Sequence, residues 1–357
     1  MVGPKLKIAV LYDTWGEEQS QPDPPKTRKQ NVESKVKKEK EDRDEIFEAL
    51  EKLGHKPFYQ VLDGTTQSLQ ALAKCGADLV FNLTESFNGD DTMDMNIAAY
   101  LDLLGIRYTG GGPHAQLLAQ DKAIAKKMFA FHGIRTPYFA MAYRGRIEHA
   151  HDIEFPLIVK PVSEDGSIGI DEAAVVNSVK ELMERIEYIQ DEFDSPALIE
   201  EYIEGREIYA AVLGSYEYAQ ALPLVELDLS KLPKGIPKIA TYDVKFEKNT
   251  EAYRKTSSAL ADDLEEKVVA KLNETALAAY RAVKLRDYGR IDMRLTPKGE
   301  VYVIEANPNP WLSSKQEFAM AAKASGRTYP QLIGEIVDLA MARYVTPGRV
   351  ETAVSEA

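Results

Sequence analysis

The apolar positions of this chain follow two rhythms. Lys5–Asp13, KLKIAVLYD, is a continuous apolar run closed by a turn residue. That is the pattern of a strand buried on both faces in a parallel sheet. Asp44–Gly54 repeats apolar residues at Ile46, Phe47, Leu50 and Leu53, a helical spacing that Gly54 stops. Ala77–Leu83, ADLVFNL, is a second buried strand. Strand–helix–strand units of this kind build an open α/β domain, and ligands of such sheets sit beyond the carboxyl ends of the strands. Here those ends are Asp13–Gln19 and Thr84–Asp91.

Further on, Ile106–Gly112 leads into Pro113–Phe131, which has helical periodicity. Glu154–Val162, EFPLIVKPV, and Pro196–Tyr202, PALIEEY, are apolar strands, with a Gly-containing loop and a helix over Asn177–Asp191 between them. After Gly214 come a polar loop, Pro233–Ser257, a helical stretch, Leu260–Lys284, an alternating hairpin within Arg290–Pro310, and a final helix, Tyr329–Val345. This division predicts an N-terminal α/β domain over 1–115, a central unit over 116–214, a C-terminal unit over 215–345 and a loose tail over 346–357. Glu17–Arg43, rich in Lys, Glu, Gln and Pro, is expected to be a solvated insertion; a mobile lid is the alternative.

A length of 357 residues exceeds one ordinary core, in keeping with that division. The net charge of -13 argues against a nucleic-acid partner, yet permits an anionic small ligand held by a few local cations. Cys75 is the single cysteine, so no intrachain disulfide forms, and a small core residue is its expected role. The first apolar run is too short for a signal-peptide core and no stretch approaches a membrane span, so a cytoplasmic enzyme or binding protein is expected.

The hairpin raises a chemical question. With a four-residue turn at Pro297–Glu300, Thr296 faces Val301, Asp292 faces Glu305 and Arg290 faces Asn307. Alternation then sets Arg290, Asp292, Glu305 and Asn307 on one face and Ile291, Met293, Ile304 and Ala306 on the other. Two carboxylates directly across a strand pair repel. Either Arg290 or a divalent cation must offset them, and two carboxylates plus an amide oxygen suit magnesium completed by water and phosphate. A surface hairpin with a solvated charged face is the bland alternative.

Other constellations are weaker singly. Lys160 ends FPLIVK and precedes PVSEDGSIGI, where Gly166, Ser167 and Gly169 form a flexible turn whose amides could approach phosphate oxygens. No Walker A or GxGxxG pattern is present. Glu200–Glu207, EEYIEGRE, could be a short extended linker between lobes that offers backbone groups to an adenine edge and an acid to ribose, or an exposed edge strand. Asp121–Lys122 lies in a Lys-rich helix. The five histidines are scattered, and none pairs with a nearby acid at metal-ligand spacing.

Taken in order, these pieces — DK, then KP with a GSIG loop, then EEYIEGRE, then RID and EANPNP — resemble the ATP-grasp superfamily, and within it the D-alanine–D-alanine ligases, over roughly residues 75–320. The resemblance implies an α/β fold with α+β character in the ATP-binding half: an N-terminal open parallel domain, then two domains whose antiparallel sheets sandwich ATP. It implies that Lys122 and Lys160 contact ATP phosphates, that Glu200, Glu201, Tyr202 and Ile203 form the hinge beside adenine, and that Glu207 holds ribose. By the same resemblance Asp292, Glu305 and Asn307 bind two Mg²⁺ ions, which Mn²⁺ could replace. Arg290 stabilises the tetrahedral intermediate, Lys245 reaches the γ-phosphate, and Ser167 belongs to the phosphate loop. The implied reaction joins a small carboxylic acid to an amine through an acyl phosphate. The resembling ligases are commonly dimers, which makes a homodimer one expectation.

Five departures touch the amino-acid pocket. DTWGEEQS stands where the family carries Gly-Gly-x-Ser-x-Glu, and NLTESFNGDD, with Glu85, stands where a His-containing stretch is usual. Gly166 replaces the first Ser of the phosphate loop, Phe246 follows Lys245 in place of Tyr, and Trp311 stands where the family has Gly. The ammonium of a substrate therefore has three candidate partners, Glu17, Glu18 and Glu85. The rival readings are a non-catalytic nucleotide-binding protein on the same fold and an oxygen-rich metal-binding structural protein.

Overall fold

The computed structural model describes residues 5–14, 42–148, 154–162, 167–233, 235–245, 247 and 250–344. Trp15, Glu17, Glu18 and nearly all of the Glu17–Arg43 segment lie outside the described residues, as do His149, His151, Gly166, Phe246 and the tail after Thr346.

The N-terminal run forms β1 (Lys7–Asp13), whose four central residues are buried as an apolar run demands. It is followed by α1 (Asp42–Lys52), β2 (Lys56–Leu62), α2 (Thr66–Ala73), β3 (Leu79–Asn82) and α3 (Asp94–Leu103). The strands pair in the order β2-β1-β3, all parallel. α1 carries Asp42, Asp44 and Glu45 in its first turn and Lys52 in its last, matching the helix dipole at both ends.

The helical periodicity of Pro113–Phe131 resolves into two helices, α4 (Pro113–Gln120) and α5 (Lys122–Phe131). Asp121 causes the break: its side chain accepts from Ile124 N and caps α5. That cap sets Lys122 on the first turn of α5.

A five-stranded antiparallel sheet comes next, built from β4 (Phe139–Tyr143), β5 (Arg146–Glu148), β6 (Leu157–Pro161), β7 (Val175–Val176) and β8 (Ala197–Glu201), in the order β5-β4-β8-β6-β7. α6 (Val179–Glu192) packs on it, capped by Ser178, which accepts from Glu181 N.

The remaining strands form an antiparallel sheet of six: β9 (Arg206–Leu213), β10 (Gln220–Ala221), β11 (Val225–Asp228), β12 (Ser257–Leu260), β13 (Tyr288–Leu295) and β14 (Val301–Asn307). The main order is β12-β11-β9-β13-β14, with β10 on β9. Two short helices, α7 (Tyr242–Lys245) and α8 (Glu251–Lys255), interrupt the expected polar loop, and α9 (Glu266–Ala282), α10 (Glu317–Ala324) and α11 (Tyr329–Arg343) complete the chain. The expected division at 214 groups Arg206–Leu213 with the central sheet. This strand instead pairs with β11 and β13, so the chain changes sheets before Arg206. The linker expected within Glu200–Glu207 marks this change of sheet, and the division at 214 falls one strand too late.

β9 is buried on both faces. Ile208, Ala210 and Val212 join a core with α9, whereas Tyr209, Ala211 and Leu213 join a different one. That second core also holds Ile8 and Val10 of β1, Leu50 of α1, and Leu332 and Ile336 of α11. The first and last parts of the chain are therefore one packed body.

The hairpin pairs Arg290 with Asn307, Ile291 with Ala306 and Asp292 with Glu305, as the alternation predicts. Nearer the turn the register differs. Leu295 faces Val301 and Met293 faces Val303, so the connection is one residue longer than expected and Ile304 forms a bulge. Val303, not Ile304, shares the core face with Ile291, Met293 and Ala306. The bulge cancels the longer turn, which is why the pairing at the charged residues is unchanged.

Candidate active site

Seven of the residues singled out in the sequence, Glu85, Lys122, Lys245, Arg290, Glu305, Asn307 and Trp311, border one cavity of about 550 Å³. β13 and β14 supply the anions and α5 supplies a cation. Arg290 holds Asp292 with two parallel bonds, Nε to Oδ1 at 2.7 Å and a terminal nitrogen to Oδ2 at 2.9 Å. Across the strand pair, Lys122 Nζ lies 3.6 Å from Glu305 Oε1. Both carboxylates thus gain a cation, which offsets their mutual repulsion.

Their titration differs accordingly. Burial raises Asp292, with Arg290 pulling against it. Burial would also raise Glu305, but Lys122, Lys245 and Lys160 outweigh it and hold the group at about 2. Glu305 is a carboxylate at any physiological pH.

Lys160 and Glu200 lie in a buried cluster beside this face. Glu200 receives Lys160 at 3.0 Å and Lys126 at 3.1 Å. Burial raises Glu200, but the two lysines outweigh it and keep the acid below its usual range. Lys126 shares its one acid with a second cation, and burial pushes it down to about 8. Lys126 also donates to Thr136 Oγ1 at 3.0 Å, and Thr136 donates to Val303 O at 2.9 Å. Helix α5 therefore grips both antiparallel sheets, Glu305 through Lys122 and Glu200 through Lys126.

The other residues expected at the hinge follow directly: Glu201 is exposed, Tyr202 half-buried and Ile203 buried. Glu207 sits apart from the main cavity. It pairs with Arg294 at 2.8 Å, accepts from Tyr209 Oη at 2.8 Å, and borders a second cavity of about 530 Å³. Ser167 adopts a left-handed backbone (φ 65°) and donates its hydroxyl to Ala240 O at 2.8 Å. With Tyr242 N donating to Ile170 O at 3.1 Å, this fastens the Ser167–Ile170 turn to the loop that carries Lys245.

Two of the departures meet one another. Trp311 Nε1 donates to Glu85 Oε1 at 2.7 Å, and next to it Asn309 Nδ2 donates to Thr84 O at 3.0 Å. Asp13, at the end of β1, accepts from Glu85 N and Ser86 N. The carboxyl ends of β1 and β3 are thereby stitched to the loop after β14, and Glu85 and Trp311 both line the main cavity.

Sequence reasoning passed over Lys126, Arg294 and Glu317. Lys126 is one turn beyond Lys122, and Arg294 continues the 290, 292, 294 alternation, so both carried a usable signal. Glu317 comes from a separate helix and had none.

The donor set fits a hard divalent cation. Among the described residues no three His, Cys, Asp or Glu side chains converge, so the set is two carboxylates and one amide. Arg290 occupies two of the roughly four lone-pair directions of Asp292, leaving others for a metal. The buried Nδ2 of Asn307 has no hydrogen-bond partner, so its amide is not committed to the protein through that atom.

Comparison with known proteins identifies the family. Residues 128–338 match the family model described as D-ala D-ala ligase C-terminus. A D-alanine–D-alanine ligase of Bordetella petrii is 34% identical over 292 residues, covering 81% of this chain and 84% of that protein. An uncharacterised protein of Sinorhizobium fredii is 33% identical over 313 residues, covering 85% and 89%. The solved D-alanine–D-alanine ligase of Bacillus anthracis complexed with ATP superposes with a TM-score of 0.68 at 22% identity, covering 95% of this chain and 98% of that one, a likeness of fold. With a family model over more than half its length and a relative of this identity and coverage, the chain belongs to the D-alanine–D-alanine ligase family of ATP-grasp enzymes.

Proposed function

We propose that the chain joins an amino acid or other small carboxylic acid to an amine, with ATP as the energy source, in a pocket reshaped relative to that for D-alanine. The observation that carries this is the charged face of the hairpin, where Arg290, Glu305 and Asn307 border one cavity with Lys122 and Lys245 and Asp292 lies behind them on Arg290.

A carboxylate is a poor electrophile. Its oxygen attacks the γ-phosphorus of ATP, ADP departs, and an acyl phosphate results. The amine nitrogen then attacks the acyl carbon and loses a proton, and phosphate leaves with the C–O electron pair. Asp292, Glu305 and Asn307 would hold divalent metal, which supplies charge neutralisation at the phosphates when bound. Lys122, Lys160 and Lys245 would neutralise phosphate oxygens, and Arg290 would face the oxyanion of the tetrahedral intermediate. Because the Ser167–Ile170 turn is fastened to the Lys245 loop, the two would move as one cover that keeps water from the acyl phosphate.

The test is ADP release with Mg-ATP across paired D- and L-amino acids, hydroxy acids and amines. Asp292→Ala and Glu305→Ala should each lower turnover by about 10²-fold or more, with circular dichroism unchanged and Mg²⁺-dependent ATP binding weakened. Full turnover in both variants removes the metal assignment. ATP binding without turnover on any pair favours a non-catalytic nucleotide-binding protein.

A further inference from the structure

We infer that the amine co-substrate enters with a neutral or cationic body, not as a carboxylate-bearing amino acid, and that Glu317 sets this preference. The inference rests on the ligase reading and deepens it.

Glu317 opens α10 and borders the main cavity. Its Oε1 accepts from Ser258 Oγ at 2.7 Å, and its Oε2 lies 4.0 Å from a terminal nitrogen of Arg290. The other terminal nitrogen of Arg290 and its Nε are both taken by Asp292. Two guanidinium nitrogens are thus held by Asp292, and the third, the one left to face an oxyanion, lies at the edge of ion-pair range from Glu317. One planar face is also covered, with the guanidinium carbon 4.8 Å from the Tyr209 ring centre. Among the described residues lining the cavity, Arg290 is the one arginine, the side chain best shaped to clasp a substrate carboxylate.

The second feature that could draw an anion is the N-terminus of α10. Its N-cap, Gln316, makes no side-chain capping bond and also borders the cavity. Glu317 already brings a negative charge to that first turn. Both anion attractors on this wall are therefore supplied with a carboxylate by the chain itself. A substrate carboxylate arriving beside Arg290 would meet Glu317 as a like charge. An ammonium or amide there would instead meet an acceptor held in place by Ser258.

The experiment is calorimetric titration of the full chain with Mg²⁺ and a non-hydrolysable ATP analogue. The probes are alanine and alaninamide as matched D and L pairs, which differ only in carboxylate against amide, and 1,3-diaminopropane. Alaninamide and the diamine should bind at least ~10-fold more tightly than alanine. Glu317→Gln should cut that ratio by at least half, Ser258→Ala should cut it less, and Glu317→Asp should keep it. Equal or tighter binding of alanine, no binding of any probe, or a ratio unmoved in Glu317→Gln overturns the inference. ADP release with the same probes is scored separately. Selective binding without turnover keeps the preference and counts against the ligase reading, whereas turnover with alanine as the amine sustains that reading and overturns this inference.

Discussion

Glu85 and Trp311 show how two local departures can be one change. An indole at position 311 needs a partner for its N–H where a glycine would need none, and a carboxylate at position 85 supplies it at 2.7 Å. Trp311→Phe separates ring from donor. Trp311 stays partly exposed and Glu85 is exposed, so the stability of that variant should change by no more than about 0.5 kcal/mol. The loss of one hydrogen bond that orients Glu85 should instead raise KM for the substrate at that end of the cavity, by roughly two- to tenfold, with kcat little changed. Steady-state kinetics against thermal unfolding separates the two. The pair also marks what one sequence can disclose. Both residues stood out as departures, but their contact spans 226 positions and depends on two loops meeting, which no periodicity encodes.

At the scale of elements, α5 and the two antiparallel sheets depend on buried charge. Glu200 sits between Lys126 and Lys160, and removing it leaves two lysines facing one another in the interior. Glu200→Ala should therefore cost about 3–5 kcal/mol, as loss of one member of a buried ion pair does. The pH dependence follows from the direction of the shift. Glu200 lies below its ordinary 4.5 because Lys126 and Lys160 outweigh burial. Its stabilisation is fully present above that ordinary value and is lost as pH falls through the folded one. Urea unfolding should show the wild type losing stability below pH about 4.5, with Glu200→Gln weaker near neutrality and flatter in acid. Gly205, in the link between the sheets, tests the same junction sterically. A Cβ there would lie 2.3 Å from the Leu295 carbonyl oxygen, so Gly205→Ala must push the link off β13 and should lower the unfolding midpoint. The buried strands and long helices of this half were legible because their apolar rhythm is strong, and the charged face of the hairpin was legible because alternation is exact to the residue. The longer turn and the Ile304 bulge were not, since each shifts the register by one and together they leave no net trace. The change of sheet before Arg206 was legible as a linker within Glu200–Glu207 but not as the unit boundary, because β9 is apolar on both faces and reads the same in either sheet.

For the whole molecule, the consequence is a fold that should melt in unequal parts. The N-terminal parallel sheet shares its core with α10, α11 and one face of the six-stranded sheet, whereas the five-stranded sheet keeps separate small cores around Val159 and Leu198. Asp287 fastens the larger body. Fully buried just before β13, it accepts from Gly110 N at 2.9 Å and from two nitrogens of Arg343 at 2.9 Å each, joining residues far apart in sequence. Asp287→Ala would leave Arg343 charged without its carboxylate and should cost about 3–5 kcal/mol. The loss should not fall evenly. Calorimetry of the wild type is expected to show a smaller transition for the five-stranded sheet and a larger one for the rest. Asp287→Ala should lower the larger transition alone, and Mg-ATP, which bridges the two antiparallel sheets on the proposed reading, should raise the smaller one toward it. A single transition lowered as a unit by Asp287→Ala would mean instead that the links through Glu200, Lys126 and Thr136 already couple the sheets without nucleotide.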